Sequence, residues 1–321
     1  MFDPSRATVA VLGLGTMGHG IVYAFASKGI RVHAFDELPQ ARQTLLDRVR
    51  KVLVEFSRVG LHPADQIESA LARITVHDRL DEACRDATFV VEAVREDLPM
   101  KQALLAELEA YVSRETILAS NSSSFPISAS GSRLKHPDRA LVTHWFNPPH
   151  IVPTVEIVPS PLTSEAVIQT AVDLHRHIGK LAIVIRKELP GFLVNRVQVA
   201  VMREVWDLLE QGVASAEDID SAIRGSMGFR LAALGPLRIH DFGGLDIQAA
   251  VYRNLCPQIR SDSNLHSLVE KIVAAGRYGF KTGEGFYQYS PDQAESVLAE
   301  RDEKYLALLK LFHSDSSSSQ S

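Results

Sequence analysis

Apolar residues recur along this chain with two different periods, and the change from one to the other divides it. Short unbroken apolar runs come first: TVAVLGLG, RVHAF, ARITVH, TFVVEAV, ETILAS, ALVTHWF, TVEIV and LAIVIR. Runs this short, bounded by Gly, Pro, Asn and Ser, read as buried strands. Helical patterns lie between them. MGHGIVYAFASKG follows the first run, and the stretch from Pro39 to Gly60 puts Leu45, Leu46, Val49, Val52, Leu53 and Phe56 on one face. Asp97-Leu98-Pro99 reads as a helix start, with Asp as N-cap and Pro in the first turn. After about Lys187 the strands stop. ELPGFLVNRVQVAVMREVWDLLEQG carries one helical pattern throughout, Ser215 with Glu217 and Asp218 caps the next helix, and more follow to about Phe312. The pattern predicts an α/β domain over residues 1–187, a smaller all-α domain over 188–312 and a Ser-rich, disordered tail over 313–321.

Composition narrows the function rather than the fold. A length of 321 residues suits two domains, and 45% hydrophobic with 23% charged residues is ordinary for a globular protein. A net charge of -5 with no basic stripe argues against a nucleic-acid partner. No apolar run reaches the ~18 residues that a membrane span needs. Cys84 and Cys256 stand far apart with no CxxC, which argues against disulfides and zinc and predicts a reducing, cytoplasmic setting. MFDPSRA is too short before the first strand to read as a signal or transit peptide.

The first strand runs into GLGTMG, a G-x-G-x-x-G formed by Gly13, Gly15 and Gly18, and Asp36 ends the next strand. Alone the glycines are a weak signal; between a strand and a helix, with an acid at this distance, they are the dinucleotide fingerprint of a Rossmann-type, doubly wound, mostly parallel sheet. The loop, Gly13, Gly15, Thr16, Met17 and Gly18, is assigned to the pyrophosphate, which a helix N-terminus favours. Asp36 suits the adenosine ribose and, with Glu37, repels a 2′-phosphate, so the expected cofactor is NAD. A second glycine cluster, GRYGFKTGEGF, fails as a P-loop because Phe280 precedes Lys281 where Gly is needed. It is expected to be a turn-rich loop that helps close the substrate site. His175 and His177 are the nearest approach to a metal pair, but a spacing of two on a helix turns them to different faces, so no metal is expected.

Two of the strand-like runs carry one charge-bearing residue each, His144 in ALVTHWF and Glu156 in TVEIV. A charge in a strand core is costly unless it is paired or used. If the runs are neighbouring strands joined by NPPHIVP, the two side chains meet, and the carboxylate fixes the imidazole tautomer. His144 is then a general base for taking the hydroxyl proton while hydride leaves for NAD. SNSSS (Ser120 to Ser124) ends a parallel strand, where ligands bind in open sheets. Asn195 lies in the apolar stretch FLVNRV, where a buried amide needs a partner.

Together these segments resemble the 3-hydroxyacyl-CoA dehydrogenase family over nearly the whole chain: VLGLGTMGHGI, VVEAVREDLPMK, ASNSSSFPI, HWFNPP, VEIV, PGFLVNRV and GFKTGEGFYQY. The resemblance implies a catalytic His144 with Glu156 as partner. It implies Ser123 and Asn195 on the substrate oxygens, and Glu96 and Lys101 near the cofactor; Asn121 completes that set. It further implies a homodimer through the helical domain, a monofunctional enzyme, and a place in fatty-acid metabolism. The leading expectation is oxidation of a short-chain L-3-hydroxyacyl-CoA. The turn NPPHIVPTVE departs from the NPVPVMKLVE typical of the acyl-CoA enzymes. It is more similar to branches acting on CoA-free substrates, the gulonate dehydrogenase and lambda-crystallin group and a bacterial pyridine-carboxylate dehydrogenase. Arg48, Arg50, Lys51 and Arg58 read either as a CoA phosphate site or as a solvated face. A reading of another class is a crystallin-like structural or NAD-sensing protein.

Overall fold

The structure, a computed structural model, describes residues 3–318. Eight strands form one sheet: β1 Thr8–Leu12, β2 Arg31–Phe35, β3 Ile74–Val76, β4 Phe89–Glu92, β5 Ile117–Ser120, β6 Ala140–Trp145, β7 Thr154–Pro159 and β8 Leu181–Val184, in the order β3-β2-β1-β4-β5-β6-β7-β8. Every pair is parallel except β6 with β7. The exception follows from chain length: residues 146–153 are too few for a crossover, so the chain turns straight back. The strand order reverses between β1 and β4, and the carboxyl ends of strands beside such a reversal form a crevice. β1, β4, β5 and β6 are buried along their whole length, which explains their unbroken apolar runs. One apolar layer gathers Ile21, Phe25, Leu45, Leu53 and Trp145; the other gathers Leu12, Leu105, Leu108 and Phe192.

The chain divides into two compact units, one running to Leu193 and taking in the residues from Ala299 onward, the other Val194–Leu298. The sequence places the division at 187/188. The first unit reaches further because Phe192 is buried in its apolar layer and the Leu193 N–H bonds back to Glu156. The C-terminal helix Ala294–Ser318 returns to it because Leu306 and Leu309 join its core. This helix extends into the segment expected to be a disordered tail, of which residues 319–321 lie outside the described part. The second unit is helical: Val194–Glu210, Ala216–Ile223 capped by Ser215, Phe229–Leu234, Pro236–Gly243, Leu245–Leu255 and Ser267–Ala274. The glycine-rich stretch after it is a set of turns with Gly276, Gly279 and Gly283 at positive φ.

Two expected elements differ. The stretch Pro39–Gly60 is two helices, Pro39–Gln43 and Leu45–Arg58, parted at Thr44, whose hydroxyl donates to the Gln40 carbonyl. Leu46 is exposed rather than on the apolar face. The helix predicted from Glu188 starts only at Val194, because Gly191 and Phe192 have φ of 73° and 52°, which no right-handed helix contains.

Candidate active site

The glycine loop joins β1 to the helix Gly18–Ala26. A Cβ on Gly18 would stand 1.8 Å from the Gly13 carbonyl oxygen, so only glycine lets the helix start this close to the strand. A Cβ on Gly15 would meet nothing within 4 Å. Gly15 and Thr16 are exposed and Met17 half-buried, so the loop presents an open approach to the uncapped first turn of the helix. Asp36 follows β2. One carboxylate oxygen accepts the Leu14 N–H at 2.6 Å and the other the Leu38 N–H at 2.8 Å. Each oxygen keeps a lone pair for a ribose hydroxyl. The loop is braced from behind by Arg48, whose guanidinium donates to the carbonyls of Leu14 (2.7 Å) and Ala41 (2.8 Å). Burial holds Arg48 below the ordinary arginine range. Arg50 is paired with Glu68. Two of the four cations expected either on a solvated face or at a CoA phosphate therefore have partners within the protein.

At the next strand ends a second group assembles. Glu92 closes β4, is fully buried, and accepts from Lys101 Nζ (2.7 Å), the Val94 N–H (2.9 Å) and the Ser120 hydroxyl (2.6 Å). Lys101, fully buried on the helix Leu98–Leu108, also lies 3.4 Å from Glu96. Asp97 starts that helix as expected, accepting from the Met100 N–H. Glu96 gathers the serine loop: one oxygen accepts from the Ser122 hydroxyl, the Ser123 and Ser124 amides and the Ser124 hydroxyl, all within 2.9 Å. Burial alone would raise the Glu96 carboxyl, but the Ser122 and Ser124 bonds and the Lys101 charge outweigh it and hold it below its usual range. Asn121 is buried, and its side-chain oxygen accepts the Trp145 N–H at 3.0 Å, tying the loop to β6. Ser123 is exposed at the tip.

The antiparallel register sets His144 directly opposite Glu156. His144 Nδ1 lies 2.7 Å from Glu156 Oε2, with His144 3% and Glu156 1% exposed. A buried carboxylate there makes Nδ1 the protonated nitrogen and leaves Nε2 with the lone pair. Phe146 and Phe192 flank the imidazole, with ring centroids at 4.5 and 5.4 Å. Behind the pair, Lys180 donates to the carbonyls of Pro149 and Val152, both at 2.7 Å, and so pins the NPPHIVP turn. Burial pushes the Lys180 ammonium down to about 7. Asn195 is half-buried in the first turn of Val194–Glu210, on the second unit.

The first unit thus brings together the glycine loop, Asp36, Glu96, Lys101, Asn121, Ser123, His144 and Glu156 on strand ends and the loops that leave them. Sequence reasoning missed Glu92, Lys180 and the Leu193 amide, and it named Arg48 without its bracing of the glycine loop. Glu92 alone carried a signal, as an acid inside VVEAV with Lys101 downstream. The residues fit a bound NAD: the loop leaves room at Gly15, the helix offers free amides, and Asp36 faces its loop with spare acceptor capacity.

Known proteins resemble this chain along most of its length. The NAD-binding domain model of 3-hydroxyacyl-CoA dehydrogenase matches residues 8–189 and the C-terminal domain model of the same enzymes matches residues 191–289. The 5-formyl-3-hydroxy-2-methylpyridine 4-carboxylate 5-dehydrogenase of Mesorhizobium japonicum is 33% identical over 94% of this chain and 97% of its own. A crystal structure of a dehydrogenase of that name, described as an NAD+ dependent dismutase, superposes with a TM-score of 0.90 over 98% of this chain and 99% of its own at 31% identity. The (S)-3-hydroxybutyryl-CoA dehydrogenase of Ralstonia eutropha superposes with a TM-score of 0.72 over 88% of this chain and 99% of its own at 32% identity. This chain belongs to the 3-hydroxyacyl-CoA dehydrogenase family and is an NAD-dependent dehydrogenase acting on a CH–OH group.

Proposed function

We propose that the protein oxidises a small CoA-free substrate, a heteroaromatic carboxylic acid bearing a hydroxymethyl or formyl group. The supporting observation is the extent of the likeness to the pyridine-carboxylate dehydrogenase, C-terminal helix included. The family's C-terminal domain model ends at residue 289, and the chain beyond it returns to the NAD-binding unit through Leu306 and Leu309. The superposition on the pyridine-carboxylate dehydrogenase has a TM-score of 0.90 over 98% of the chain, against 0.72 over 88% for the (S)-3-hydroxybutyryl-CoA dehydrogenase. The use of Arg48 to brace the glycine loop and the NPP turn favour the same reading over a CoA thioester.

In the reaction, Nε2 of His144 takes the hydroxyl proton, and Glu156 stabilises the imidazolium that forms. NAD, when bound, accepts the hydride from the same carbon. A formyl group enters as its hydrate, which carries the C–H and O–H that the aldehyde lacks, and leaves as a carboxylate. Ser123 and Asn195 hold the substrate oxygens, and Asn121, Glu96 and Lys101 shape the nicotinamide end. We further propose a homodimer through the helical unit, supported by its exposed Phe229, Leu237 and Phe242, at 74%, 83% and 75%. A cytoplasmic location is supported by two free cysteines.

The test is reduction of NAD by the purified protein with a formyl or hydroxymethyl pyridine carboxylic acid, beside a short-chain L-3-hydroxyacyl-CoA and its free acid. Turnover of the pyridine acid without the thioester is expected. Turnover of the thioester alone would overturn this reading and restore the acyl-CoA one.

A further inference from the structure

Phe192 is the one non-glycine residue with positive φ among the described residues, at 52°, and it is 1% exposed. A bulky side chain in the left-handed region is strained and persists only where its surroundings hold it. Here the whole segment is held. The Glu188 carboxylate accepts the Ser128 N–H at 3.0 Å, beside the serine loop. The Phe192 N–H closes a turn onto the Leu189 carbonyl at 3.0 Å. The Phe192 ring lies in the apolar layer and against His144. The turn delivers the Leu193 N–H to Glu156 Oε1 at 3.1 Å, the oxygen that His144 does not use.

We propose that the left-handed turn at Gly191-Phe192 is a positioning element for the catalytic pair, with Phe192 as a positioning residue that acts through the Leu193 amide. The terminal torsion of a glutamate is soft, so each donor on its carboxylate narrows the swing about its last bond. The Leu193 donor restrains the second oxygen, which favours Oε2 on Nδ1 and Nε2 free for the substrate. The segment also spans from the serine loop to the pair, so the two halves of the site in this unit share one strut. Packing alone does not call for this turn, because the same ring could be buried from an ordinary extended backbone.

The proposal rests on His144 as the base, so its test includes a readout that needs no substrate. Two variants separate backbone from ring. Phe192→Gly removes the ring and accepts the left-handed conformation at no steric cost. Phe192→Val keeps apolar bulk and resists that conformation. Nitrogen-15 NMR of labelled histidines, with the His144 signals assigned through His144→Gln, reports the tautomer; NAD affinity, kcat and KM are measured alongside. Phe192→Val is expected to lose the single Nδ1–H tautomer and roughly tenfold to a hundredfold in kcat, with NAD affinity unchanged. Phe192→Gly is expected to keep the tautomer, with kcat falling less than in Phe192→Val. A wild-type tautomer in Phe192→Val, or its equal loss in both variants, would overturn the proposal. If Phe192→Val does not fold, Phe192→Ala, which also resists the left-handed region, takes its place. Failure of every pyridine acid as a substrate would count against the proposed function and leave the NMR result intact.

Discussion

Glu92 has no solvent to share its charge with, and its stability depends on Lys101, Ser120 and the Val94 amide. Removing one partner of a buried ion pair leaves the other uncompensated, at a cost of about 3–5 kcal/mol. Glu92→Gln is therefore expected to lose about that much stability in urea unfolding. The double replacement of Glu92 and Lys101 by methionine is expected to recover most of it. Wild-type unfolding in Glu92→Gln would show that the pair carries no such weight. At this scale the sequence exposed His144 and Glu156, because a short turn forces an antiparallel register and the register puts them opposite each other. It showed Glu92 only as an acid inside VVEAV, and it hid Lys180 and the Leu193 amide. Their partners lie on other elements or are backbone groups, and neither leaves a trace in residue spacing.

At the scale of elements, legibility follows burial. The central runs became β1, β4, β5 and β6 without polar alternation because strands covered on both faces need none. The glycine loop was readable because its requirement is steric and local, as the Gly18 approach shows. The boundary of Val194–Glu210 was not readable. PGFLV has a helical apolar pattern, yet the bond from Leu193 to Glu156 and the burial of Phe192 override it. The Pro39–Gly60 stretch failed in a smaller way, since the Thr44 hydroxyl competes for a helix carbonyl without changing the apolar period.

The whole first unit carries an acid sensitivity that its histidines set. Burial lowers His175 to about 4 and His150 to about 3, against 6.5 for a free imidazole. His175 is wholly buried among Phe25, Phe89 and Trp145, with Nδ1 donating to the Ala171 carbonyl. Above 6.5 both states are neutral and the full stability is present. As pH falls from 6.5 toward 4, the unfolded chain takes up protons that the folded one refuses, so stability is lost across that window. For His175 the difference is worth about 3 kcal/mol at most. Urea midpoints are expected to fall between pH 7 and pH 5, and His175→Phe is expected to flatten the fall; an unchanged slope would exclude His175 as its source. The C-terminal helix belongs to this scale too. Its serines read as a disordered end, while the leucines that bring it back, Leu306 and Leu309, take their meaning only from the core they reach.

Hydride transfer by His144→Gln, compared with wild type on the same substrate at saturating NAD, tests the role of the buried pair most directly. With NAD affinity and folding retained, turnover is expected to fall by about a hundredfold to ten-thousandfold, the usual contribution of a positioned base. Undiminished turnover in that variant would contradict the assignment of His144 as the group that takes the proton.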